Sequence, residues 1–138
     1  MNRTVVMLAI ALLVGIAVGG LGNQVLMAQQ APVTRTILQQ QDLEGVVGRE
    51  VIMYRAEAIP GGVAGRHYHP GPELIYVLEG SLILEPDGHP AVTLKAGESA
   101  HMPAKHIHNA KNASTSEPVK VVVFLVGEKG QPLATPVP

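Results

Sequence analysis

The chain has 138 residues, 15% of them charged, and a formal net charge of −1, with lysines and arginines scattered singly. It lacks the basic stripe that nucleic-acid binding requires. Cysteine is absent, which excludes thiolate ligands, iron–sulfur clusters, a cysteine nucleophile and disulfides, so metal chemistry falls to histidine and carboxylate.

In chain order, the first segment is an unbroken apolar or glycine stretch from Val5 to Gly22, and Arg3 is the only charged side chain before Arg35. As a helix the stretch would rise about 27 Å, close to the ~30 Å hydrocarbon thickness of a bilayer. Gly15, Gly19, Gly20 and Gly22 weaken its far end, and Gln24, Gln29 and Gln30 follow, as where a signal peptide gives way to mature chain. Residues 1–28 are therefore read as a signal peptide or an N-terminal membrane anchor. The remainder is then exported, periplasmic or secreted, or tethered to the membrane if the leader is retained. Roughly 110 residues remain, enough for one core and too few for two.

Beyond the leader, short β-rich runs punctuated by Gly and Pro predict an all-β domain over 29–126. Strands are expected near Thr34 to Leu38, Glu50 to Ile59, Arg66 to His69, Leu74 to Leu78 and Ser81 to Glu85. Others follow near Ala91 to Leu94, Ala100 to Met102, Ile107 to Ala110 and Val119 to Val126. Thr34 to Leu38 reads as an apolar, uncapped edge strand able to add to a neighbour's sheet, which predicts a homodimer. Pro86, Asp87, Gly88 and His89 predict a hairpin turn, Asn112 to Pro118 a polar loop, and residues 127–138 a Pro-rich extended tail. The core is aliphatic, because Phe124 is the only Phe and Trp is absent.

His67 and His69 project to one side of a strand while Tyr68 points away. Pro70, Gly71 and Pro72 interrupt the ladder and re-aim Glu73 toward the same two imidazoles. A closed sheet brings His108 across to them, completing a site of three histidines and one carboxylate. Such a set leaves open positions on one divalent Fe, Mn or Ni ion and suits tetrahedral Zn less well. Glu73 is also the candidate base. Ile75 and Val77 share its parity and are expected to line the interior, with Met53 and Phe124 as neighbours. His106 faces either that cavity or solvent, and His101 either lines the cavity mouth or is structural. His89 lies at the hairpin tip, on the surface. Asn112 opens a glycosylation acceptor, though a buried turn there would block modification.

These residues resemble the cupin family, whose motifs read G(X)5HXH(X)3,4E(X)6G and G(X)5PXG(X)2H(X)3N. Gly61, His67, His69, Glu73 and Gly80 meet the first, and Gly97, Pro103, His108 and Asn112 the second, with Lys105 standing where the family has glycine. That position serves a turn, so Lys105 is expected either to sit in a slightly different backbone conformation or to carry a modest left-handed penalty. The stretch HYHPGPELIYVLEGSLILEPDG is similar to small exported cupins described as quercetin-dioxygenase-like. The resemblance implies a small antiparallel β-barrel, a double-stranded β-helix of the jelly-roll type, around a metal. It implies a dioxygenase-like oxidoreductase acting on a small oxygenated compound. Two alternatives stay open: a non-catalytic module binding a metal or small ligand, and a metal-dependent isomerase or lyase, which would need a general acid such as His106 or His101.

Overall fold

The computed structural model describes residues 31–138, so the expected leader at 1–28 lies outside the described residues. Ten strands follow: β1 (Val33–Asp42), β2 (Arg49–Ala58), β3 (His67–Tyr68), β4 (Glu73–Glu79) and β5 (Ser81–Pro86), then β6 (Val92–Lys95), β7 (Ser99–Met102), β8 (His108–Asn112), β9 (Val119–Glu128) and β10 (Thr135–Pro136). They form two five-stranded antiparallel sheets, ordered β1-β2-β9-β4-β7 and β10-β3-β8-β5-β6. This is the all-β jelly roll that the motifs imply.

Period-two alternation decides which residues face inward. In β9, Val119, Val121, Val123 and Leu125 are buried, and in β2 Ile52, Tyr54 and Ala58 are buried. Ile75 and Val77 of β4 join them, and Leu82, Leu84 and Leu94 close the core from the second sheet. Met53 and Phe124 are a correction to the expected lining. They pair across β2 and β9, out of phase with the buried set, and Phe124 stands 48% exposed on the outer face.

Pro70, Gly71 and Pro72 carry the chain from the second sheet into the first. Gly71 is obligatory there, because a Cβ would lie 1.7 Å from the Val126 carbonyl oxygen. The kink therefore locks onto the end of β9 and sets where β4 begins, which is at Glu73. Two further expectations change. The strand around His67 is only two residues long, since His69 already belongs to the turn. Residues 127–138 are not a tail beside the barrel: β9 runs on to Glu128, and Thr135 and Pro136 pair with Tyr68 and His67. Polar backbone in this segment finds its partners on β3, which a composition of prolines does not reveal.

Candidate metal centre

Three side-chain to main-chain hydrogen bonds aim the histidines. Each ring donates its Nδ1 hydrogen to a main-chain carbonyl: His67 to Gly65 at 2.7 Å, His69 to Leu133 at 2.6 Å and His108 to His106 at 3.0 Å. Fixing the proton on Nδ1 leaves Nε2 of each ring as a lone-pair donor. His67 and His108 face one another across β3 and β8, and their ring centroids are 4.5 Å apart. One ligand nitrogen from each of His67, His69 and His108 falls within 4.8 Å of the others.

Glu73 enters from the opposite sheet. Its Oε2 lies 3.5 Å from Nε2 of His69 and its Oε1 3.5 Å from Nε2 of His108, whereas the mutually close trio is histidine alone. The distances are those of ion pairs, but the charges are not. Burial lowers the pKa of His67 to about 4 and of His69 to about 3, and it lowers that of His108 as well. Burial also raises Glu73 to about 7, against the opposing pull of the Tyr54 hydrogen bond and the Arg35 charge. Neutral imidazole lone pairs therefore converge with carboxyl oxygens, and a divalent cation would satisfy all of them at once. The donor set fits a metal ion: His67, His69 and His108 can hold it, with Glu73 beside them.

Two cavity residues escape the sequence motifs. Tyr54, buried in β2, donates its hydroxyl hydrogen to Glu73 Oε2 at 3.1 Å. Burial first, and the adjacent carboxylate second, hold its pKa above the ordinary phenol value, so it stays a neutral donor. Arg35 of β1 lines the same cavity, of about 50 Å³, whose walls include Ile75, Leu82, Val121 and Val123. Alternation along β2 would have marked Tyr54 as inward-facing, but a tyrosine in that position reads as core.

The remaining candidates lie elsewhere. His101 pairs with Leu74 on the outer face of the first sheet and is exposed, so it does not reach the cavity. The His106 ring packs 5.6 Å from that of exposed His89, and only its carbonyl serves the centre. Asn112 is buried. Its amide donates to Ala58, Ile59 and Glu117 carbonyls and its Oδ1 accepts from Ser114, so it ties two loops together and offers nothing for glycosylation. Lys105 adopts φ 58°, the only positive φ outside glycine among the described residues, and its amide donates to the His69 carbonyl at 3.0 Å.

The fold is a jelly roll with three inward imidazoles and a carboxyl at its centre, a donor set that could hold a metal ion. The cupin domain family matches residues 54–125, and the chain belongs to that family. Among solved structures, it is similar to the DMSP lyase DddQ from Ruegeria pomeroyi DSS-3. The two share a TM-score of 0.63 and 20% identity, over 77% of this chain and 52% of the lyase. It also resembles a cupin-like protein from Thermotoga maritima MSB8, with TM-score 0.59, 25% identity and coverage of 76% and 75%. An oxalate oxidase in complex with the substrate analogue glycolate matches with TM-score 0.58 and 23% identity, over 80% of this chain and 63% of the oxidase. The chain thus spans about half the length of the lyase. No curated protein matches it by sequence.

Proposed function

We propose that the chain is an exported, metal-dependent cupin enzyme, a dioxygenase-like oxidoreductase acting on a small oxygenated compound. The observation that carries this reading is the convergence of three buried Nε2 donors and the Glu73 carboxyl on one small cavity. His67, His69 and His108 hold the ion, and Glu73 is its fourth ligand. A redox-active ion, if bound there, would supply Lewis acidity at a substrate oxygen and a path for electrons from the substrate to dioxygen. The chain's own residues do the rest. Apolar walls exclude water, Glu73 accepts a proton at Oε1 or Oε2, and Tyr54 keeps that carboxyl oriented through its hydroxyl.

The Tyr54–Glu73 pair also supports a second reading, a metal-dependent isomerase or lyase. Such chemistry requires a general acid, and Tyr54 supplies a neutral donor that His101 and His106 cannot. Oxygen uptake separates the two readings. The iron-loaded protein should consume oxygen with at least one of a panel of small diketones, hydroxy acids and catechols. Glu73→Gln should keep most of the metal while losing about 100-fold or more in turnover. Product formation without oxygen would select the isomerase or lyase. Absence of any turnover in the iron, manganese and nickel forms would leave a binding module.

A further inference from the structure

We propose that Arg35 makes this cavity a site for small carboxylates, its guanidinium gripping the substrate's acid group while the rest of the molecule faces the His67, His69, His108 and Glu73 cluster. The inference deepens the proposed function and rests on its reading of a substrate cavity. Val33 and Arg35 alternate onto the same face of β1, and both line the cavity. The register partner of Arg35 is Ala56, whose methyl group leaves room beside the long side chain.

Arg35 differs from most of the other bases in the fold. Arg55, Arg66, Lys105, Lys111, Lys120 and Lys129 each face a carboxylate. Among the described residues Arg35 has no such partner, although it borders the only carboxyl in the cavity lining. Glu73 is taken up by His69, His108 and Tyr54. A planar guanidinium with five donors in an otherwise largely aliphatic pocket matches a carboxylate in a bidentate pair. With a divalent ion among three neutral imidazoles, one Glu73 carboxylate leaves the cavity net positive, which favours an anion.

Size narrows the class. A cavity of about 50 Å³ holds roughly four water-sized positions. That suits an acid of two or three carbons and not a polycyclic phenol.

The test is calorimetric titration of the full chain with glycolate, lactate and malonate, each beside its neutral amide. It is run on the metal-loaded and the chelator-treated protein. At least one acid should bind the wild type ten-fold or more tightly than its amide. Arg35→Gln should remove that preference, Arg35→Lys should retain part of it, and the metal content of both variants should equal that of the wild type. Failure of every acid to bind, equal affinity for acid and amide, or an unchanged preference in Arg35→Gln would overturn the proposal. Lack of metal in the wild type would count against the proposed function alone, because the acid–amide comparison on the metal-free chain still decides the role of Arg35.

Discussion

A carboxyl that is 2% exposed, beside three neutral imidazoles, keeps its proton to about pH 7. The imidazoles, pushed down to about 4 and about 3 in His67 and His69, are already deprotonated well below neutrality. In the metal-free chain these shifts act on stability with opposite signs. From its ordinary 4.5 up to about 7, Glu73 binds a proton in the folded state that the unfolded chain releases, so stability falls as pH rises through that window. Below 6.5 the unfolded histidines take up protons that the buried ones refuse, so stability falls as pH drops. Metal uptake must therefore displace a proton from Glu73 and almost none from the histidines. Calorimetry in buffers of different ionisation enthalpy should record about one proton released per ion at pH 6 and close to none at pH 8. Release of more than two at pH 6 would mean that the imidazoles are not held neutral.

Strands place three of these donors: β3 holds His67, β4 holds Glu73 and β8 holds His108. The four residues His67, His69, Glu73 and His108 are legible from spacing, because the alternation of His67, Tyr68 and His69 and the Pro-Gly-Pro kink are local properties of the chain. Tyr54 and Arg35 are not. Both lie outside the motifs: alternation along β2 turns Tyr54 inward without marking it as more than core, and Arg35 reaches the cavity through the pairing of β1 with β2. The same limit applies to His101, whose outward direction is set by its cross-strand partner Leu74. It applies most to residues 127–138, where a backbone carbonyl, invisible to composition, orients His69. Ending the chain at Gly130 removes both that carbonyl and the β10 ladder on β3. Metal affinity should drop by about 10- to 100-fold, as read by competition with a chromophoric chelator. Unchanged affinity would show that the Leu133 contact does not matter.

The first sheet ends at β1 on one side and β7 on the other. Along β1, Ile37 and Leu38 are 51% and 42% exposed, and the described residues offer β1 no partner but β2. A ten-residue strand with a free edge is a template for a second copy. Light scattering at micromolar concentration should accordingly give twice the mass of one chain. A mass of one chain would leave the edge to some other cover. The jelly roll also has a temporal side. The carbonyl that sets the His69 tautomer lies 64 residues further along the chain, so a nascent chain finished only to residue 126 already holds every candidate ligand and still lacks the means to orient one of them. Full affinity is therefore expected only late in synthesis, when the closing strand docks. If the leader directs export, that docking takes place across the membrane, and the ion supply there, rather than that of the ribosome's compartment, selects the metal.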